Sequence, residues 1–456
     1  MRPPQKTNEL TEGPILANVL KLATPMIVAF IFITSYNFID RFFVSQLGDT
    51  ATAAIGMAFI VQLTIISIGT GISSGIKSYI SRNLGADNED DAIQTALHAI
   101  LLAIIIGSIF AAIGLVIQRP LFQAIGADGE LLELIISYLT IIFLFTPVNL
   151  LSVFGSSVFQ GWGDTVSPMK FSVVGTLLNI ALDPILIFGL SIIPGIGIKG
   201  AALATGIART VSLLYILFLI FVRKKPVILS FKNFRYNPRI VKGIMGVGAP
   251  SSIGQILTSI AMGIIFWILN AYGENAKAAY TIVFTYEMVI FLPAIGIAQA
   301  VSIMTGHNFG AGKNDRIPKI HFTGSATAFM LMALSAALII IFSTFFAGIF
   351  AQGDEVLAIS SRALQITAVG IVFLSIYICS VTSFLGLGLG RHYLAANLLR
   401  LYFVMLPCVY FGEKYIGLDG VWYGLAFSNI ISSVALFFWH KYIFNYRILT
   451  GHIKPL

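Results

Sequence analysis

Asn83-Leu84-Gly85-Ala86 recurs 225 residues later as Asn308-Phe309-Gly310-Ala311, and that offset holds over much of the chain. It pairs Pro25 with Pro250, Gly48-Asp49 with Gly273-Glu274, and Ala53-Ala54 with Ala278-Ala279. It also pairs Phe159-x-Gly161-x-Gly163 with Phe384-x-Gly386-x-Gly388, and Lys199-Gly200 matches Asp419-Gly420 at a slightly shorter offset. Self-similarity at a fixed spacing marks a duplicated architecture. The tetrapeptides read as turns, one after the second span of each half.

Between these marks the chain is greasy. It has 456 residues, 57% of them hydrophobic and only 11% charged, where a soluble domain keeps roughly a quarter charged. Apolar stretches long enough to cross about 30 Å of hydrocarbon fall at 15–42, 53–81, 94–118, 131–154, 168–190, 199–221, 241–270, 279–303, 320–348, 360–385, 393–411 and 421–444. Barrel strands would be about ten residues long and alternate apolar with polar, so the spans are helices, which satisfy their own backbone groups in lipid. The expected fold is an all-α membrane protein of about twelve transmembrane helices in two pseudo-twofold-related six-helix lobes. An even number of spans gives both halves the same orientation, so the repeats are parallel and their axis lies along the membrane normal. The lobes are expected at residues 1–222 and 243–456, joined by a basic loop over 223–242 that contains Pro226 and Pro238. Two lobes around a cleft suit transport by rocking.

The net charge of +8 reports topology and contact with anionic headgroups rather than nucleic acid. Eighteen Lys and Arg fall in the segments on the side of the chain ends, including Arg223, Lys224, Lys225, Lys232, Arg235, Arg239 and Lys242, against six on the other side. Basic residues are retained in cytoplasmic loops, which places both termini in the cytoplasm of a plasma-membrane protein. No cleavable leader is expected, because Met1–Pro14 is polar and runs into a full-length span. Cys379 and Cys408 lie inside spans and suggest neither a disulfide framework nor a metal site.

Further stretches carry a family likeness. Pro25, the run Tyr36-Asn37-Phe38-Ile39-Asp40-Arg41-Phe42-Phe43-Val44, the Asn83-Leu84-Gly85-Ala86 motif, Phe159-Gln160-Gly161-Trp162-Gly163-Asp164-Thr165 and Asn179-Ile180-Ala181-Leu182-Asp183-Pro184 together resemble the multidrug and toxic compound extrusion (MATE) family, from about residue 10 to about 445. The resemblance implies a V-shaped exporter that spends an ion gradient to expel amphipathic, often cationic organic molecules. It is similar to the DinF branch: the seventh span, Gly263-Ile264-Ile265-Phe266-Trp267-Ile268-Leu269, and the tenth lack the acids of NorM-like members.

Charges at bilayer depth are costly and therefore functional candidates. Three acids qualify: Asp40, Asp183 and Glu287. Asp40 lies late in the first span and Asp183 about fifteen residues into the fifth, roughly 22 Å from the inner edge at 1.5 Å per residue, so both occupy the outer half of the N-lobe. Tyr36 and Asn37 precede Asp40 by four and three residues, and Asn179 precedes Asp183 by four, which sets them on the acids' helix faces; Tyr138 reaches a similar depth. The family likeness places its cation site here. A carboxyl pair held from water can exchange protons, and the same oxygens, with Asn179, suit a sodium ion. Pro25 and Pro184 each remove a helical hydrogen bond and permit a bend. An interfacial charge beside Arg41 is the plainer reading of Asp40. Glu287 is either a ligand for a cationic substrate or a counter-charge for Arg400 or Arg209, and Arg400 either meets substrate or snorkels. Asp164 reads as a helix cap. The 36 Phe and 11 Met suit a cleft that adapts to varied shapes.

There is no HExxH, GxSxG or P-loop, and the six His show no ligand spacing, so an enzyme is not expected. The expected function is a cation-coupled antiporter, proton-driven, exporting amphipathic compounds as a monomer, with no cofactor beyond H+ or Na+. The alternatives are a sodium-coupled exporter and a flippase for polyprenyl-linked glycans, which would want more mid-span basic residues than Arg209 and Arg400.

Overall fold

The computed structural model describes residues 6–190, 193–223, 229, 232 and 234–448, apart from the side chains of 6–8, 37, 193 and 447. Both chain ends and Pro226 of the linker lie outside the described residues.

Helices account for nearly everything else: α1 (Lys6–Glu12), α2 (Ile15–Ser45), α3 (Asp49–Gly85), α4 (Glu89–Ala124), α5 (Gly129–Gly161), α6 (Val166–Phe188) and α7 (Ile198–Leu217) in the first half. A two-residue hairpin, β1 (Gly189–Leu190) with β2 (Ile193–Pro194), joins α6 to α7. The second half holds α8 (Pro238–Leu269), α9 (Gly273–Gly310), α10 (Arg316–Ile341), α11 (Ser343–Phe350), α12 (Asp354–Gly386), α13 (Gly390–Leu398), α14 (Leu406–Ile416) and α15 (Leu418–Ile443). Among the described residues 11 runs are long and apolar enough to cross a bilayer, and one of them, Pro238–Gly310, is 73 residues long. A 3-10 turn at Asn270–Tyr272 and Gly273 at φ 78° split that run into α8 and α9. Twelve spans result. Many large apolar side chains point outward, such as Val116 at 77% and Trp267 at 72% exposed, a surface suited to lipid.

Two spans depart from the sequence expectation. The ninth, expected over 320–348, stops at Ile341 and resumes as α11. The eleventh is interrupted by a π-helical stretch, Leu399–Met405. Pro407 lacks the N–H that would bond the Phe403 carbonyl, so the ladder shifts register there.

The duplication is visible in backbone angles. Gly48 and Gly273, then Gly163 and Gly388, take positive φ at the 225-residue offset, as do Gly197 and Gly417 at an offset of 220. Asp87 (φ 56°) and Gly312 (φ 70°) form a third pair at 225, and Asp87 is the single non-glycine among the described residues with positive φ. An L side chain in this region costs about 1 kcal/mol relative to glycine. Asp87→Gly is therefore expected to raise stability by about 0.5–1 kcal/mol, read as a higher midpoint in detergent thermal unfolding.

The tetrapeptides that read as turns are helical up to their glycines, and only Ala86 and Ala311 lie in the turns. Asn83–Gly85 closes α3 and Asn308–Gly310 closes α9; the chain reverses just after them, at Asp87 and Gly312. Their glycines serve close approach instead. A Cβ on Gly85 would overlap the His307 carbonyl oxygen, and a Cβ on Gly310 would overlap that of Arg82. Residues 82 and 307 are themselves equivalents, so the contact is reciprocal, as expected at a local twofold axis. Asn308, fully buried, donates to the carbonyls of Met304 and Leu10 and accepts from Arg316, which also donates to the Gly13 carbonyl.

By packing, the chain forms two compact units. The first holds Val28–Ile80 and Asn88–Gly248; the second holds 6–27, Ser81–Asp87 and 249–448. The changeovers at 27/28 and 248/249 lie beside the repeat prolines Pro25 and Pro250. Within the second unit α12 is central, packed against α9, α10, α11 and α15.

Candidate functional site

Every candidate in the N-terminal half except Pro25 falls in the first unit. The i, i+4 spacing on α2 sets Tyr36 and Asp40 on one face, and Asp40 is only 8% exposed. On α6 the same spacing lets Asn179 Nδ2 donate to Asp183 Oδ1 at 3.3 Å, with Asp183 0% and Asn179 2% exposed. Thr205 of α7 links the two helices: its hydroxyl accepts from Asn179 Nδ2 at 3.5 Å and lies 3.3 Å from the Tyr36 hydroxyl. Tyr138 of α5 is buried and accepts from Gln62 Nε2 of α3 at 2.7 Å. The Asp40 carboxylate acts electrostatically on Asp183, Tyr36 and Tyr138. The structure thus links Tyr36, Asp40, Tyr138, Asn179 and Asp183 in one cluster through hydrogen bonds and electrostatic interactions. Asn37 lies on α2, but its side chain is outside the described residues.

The pocket is rich in acceptors and poor in donors. Asp40 Oδ1, Asn179 Oδ1 and Asp183 Oδ2 are buried with no hydrogen-bond partner. A buried acceptor without a donor costs about 1–3 kcal/mol, more for a charged group. A proton on one carboxyl, or a cation among the three oxygens, removes that cost. Among the described residues no group of three or more His, Cys, Asp or Glu could hold a metal ion.

Pro25 sits inside α2 and Pro184 inside α6. Pro184 follows Asp183 directly and leaves the Ile180 carbonyl without its helical donor. Asp164 does cap α6: it accepts from the backbone N–H and hydroxyl of Ser167 at 3.0 and 2.7 Å.

Glu287 and Arg400 belong to the second unit, where Glu287 acts electrostatically on Arg400 without forming an ion pair of 4 Å or less. Arg400 lies in the π-helical stretch, donates to Asn429 Oδ1 at 3.1 Å and stands 5.0 Å over the Tyr377 ring. Arg209 instead faces Tyr36 in the first unit.

Thr205 and Gln62 escaped the sequence reading. Each comes from a helix other than those bearing the acids, so no i, i+4 relation points to them.

Twelve apolar spans laid out as two copies of a six-span plan, with a buried acidic cluster in the first unit, are the architecture of a membrane transporter rather than an enzyme. The profile of the MatE family matches twice, over residues 25–185 and 250–411, once per repeat. The chain belongs to the MatE family. It is 26% identical over 430 residues to a protein named FAD transporter from Shewanella oneidensis, covering 94% of this chain and 95% of that one. It is 27% identical over 414 residues to a probable multidrug resistance protein, YoeA, of Bacillus subtilis, covering 90% and 89%. Its fold matches, at a TM-score of 0.94 and 28% identity over 99% of this chain and 100% of the other, a structure described as the outward-facing conformation of a multidrug resistance MATE family transporter.

Proposed function

We propose that this protein is a proton-coupled antiporter that exports amphipathic organic compounds by alternating access, with Asp40 and Asp183 as the coupling acids. The observation that carries this reading is that three buried oxygens, on Asp40, Asn179 and Asp183, lack partners in one compact unit where Asn179 bonds Asp183 and the two carboxyls act on each other. Protonation supplies the missing donor and withdrawal restores its cost, so the pocket's stability follows its proton. Pro184, beside one acid, and Pro25, beside the changeover of units along α2, offer points at which a helix can bend in response. Tyr36, Tyr138 and Asn179 shape the pocket. The names of the relatives support an organic solute as cargo. The excess of basic residues in one set of loops supports cytoplasmic termini in a plasma-membrane protein, and nothing in the reading requires a second copy.

The same oxygens suit sodium, so the decisive experiment imposes each gradient separately on everted vesicles and follows a fluorescent dye. Acidifying the lumen is expected to drive dye uptake, abolished by nigericin and indifferent to a sodium gradient in its absence. Uptake driven by sodium alone moves the assignment to sodium. A response to neither gradient overturns the coupling reading and returns the glycan-lipid flippase to first place.

A further inference from the structure

Arg209 stands eleven residues into the 25-residue span Ile198–Val222, near mid-membrane, where a charge marks a substrate or ion path. Its guanidinium makes no hydrogen bond or ion pair among the described residues; its one noted electrostatic neighbour is Tyr36. Arginine offers five N–H donors in a planar fork that matches a carboxylate or phosphate. Arg209 lines a cavity with Tyr36, Ser172, Thr176, Asn179 and Thr205. Its volume of ≈ 20 Å³ is far below the roughly 300–1,000 Å³ of a pocket that takes a whole ligand. It has room for one small group at most.

The cavity adjoins the acid pocket. Thr205, which touches both Tyr36 and Asn179, lies one helical turn from Arg209, about 6 Å along the axis. One face of the first unit therefore presents a carboxyl pair and, a turn away, an unpaired cation.

We propose that Arg209 forms an anion subsite that receives a carboxylate or phosphate group, so that the preferred substrates are zwitterionic or acidic amphipaths rather than simple organic cations. This rests on the transport reading and adds the substrate class. A cation on the same molecule would face the carboxyls when they are free of protons. Loading protons would then remove its partner and favour release. The alternative, that Arg209 is the acids' own counter-ion, predicts that its loss weakens all ligands alike.

Binding decides this without any gradient. Rhodamine 110 carries a free carboxylate and rhodamine 123 is its methyl ester, so the pair differs at the one group in question. With purified protein in detergent and fluorescence anisotropy, the free acid is expected to bind more tightly than the ester. Arg209→Gln is expected to lower that preference about tenfold, the loss of a charge-assisted hydrogen-bonded contact, and Arg209→Lys to restore part of it. A preference unchanged in Arg209→Gln, or both dyes lost in proportion, overturns the proposal; should the Gln variant elute as aggregate, the Lys variant's intermediate preference carries the test. Repeating the titration with added phosphatidylglycerol or phosphatidylcholine assigns the source. Displacement of the acid by phosphatidylglycerol alone, lost in Arg209→Gln, gives the subsite to a lipid phosphate, and no displacement gives it to the soluble substrate. A preserved preference in a protein that exports neither dye would sink the coupling reading and leave the subsite standing.

Discussion

Asp183→Asn is expected to abolish gradient-driven export, lowering proton-dependent dye flux in proteoliposomes about a hundredfold, near the upper end of the coupling ordinarily carried between two linked events. Asparagine keeps the shape of the side chain and an oxygen for Asn179 Nδ2, which now bonds Asp183 Oδ1 at 3.3 Å. It places an amide donor where the partnerless Asp183 Oδ2 lies. The variant therefore imitates the permanently protonated acid and cannot discharge. Because a buried acceptor without a donor is removed, stability should hold or rise, so a thermal midpoint at or above that of the wild type accompanies the lost flux. Asp40→Asn should behave alike, since Asp40 Oδ1 is also buried without a partner. Export that stays within about twofold of wild type in either variant would mean that the carboxyl pair is not the coupling element. Tyr138→Phe offers a milder contrast: it removes the hydroxyl that Gln62 reaches but no titrating group, and should shift substrate affinity while leaving the proton response.

How much of this was legible in the sequence follows from the range over which each interaction acts. The spans were legible because lipid leaves hydrophobic runs no other structure, and the duplication because the offset barely drifts. The acid pair was legible because Asp40 and Asp183 are costly where they lie, and Tyr36 and Asn179 because helical spacing ties them to the acids. Thr205 and Gln62 were not, because contacts between helices depend on which faces meet. The π-helical stretch holding Arg400 and the break at Phe342 were also hidden: both are local losses of register inside runs that stay apolar. The Asn-x-Gly-Ala motifs misled for a different reason. Asn and Gly are turn residues by propensity, yet Gly85 and Gly310 are helical and their small size answers a neighbouring backbone, which no local pattern announces.

That close approach carries the second large prediction. Gly85→Ala and Gly310→Ala should each destabilise the protein by about 3 kcal/mol or more, in the range of severe overpacking, and much of either variant should aggregate in fluorescence size-exclusion chromatography. Both glycines are helical without positive φ, so alanine brings no backbone strain and by propensity alone would help. What it cannot do is fit, because each new Cβ would strike a backbone carbonyl, that of His307 or of Arg82, and a carbonyl already held in a helix has nowhere to turn. Gly56→Ala on the same helix α3 is the control: nothing lies within 4 Å of its Cβ, and it should be neutral or stabilising by about 0.5–1 kcal/mol. The reciprocal geometry also predicts how the two lesions combine. Once one Cβ has wedged the ends of α3 and α9 apart, the space for the other is already open, so the double variant should lose clearly less than the sum of the singles, a coupling expected of residues in contact. Additive losses would mean that the two glycines sit in separate contacts, and that the repeated motif reflects shared ancestry alone rather than one crossing made from both halves.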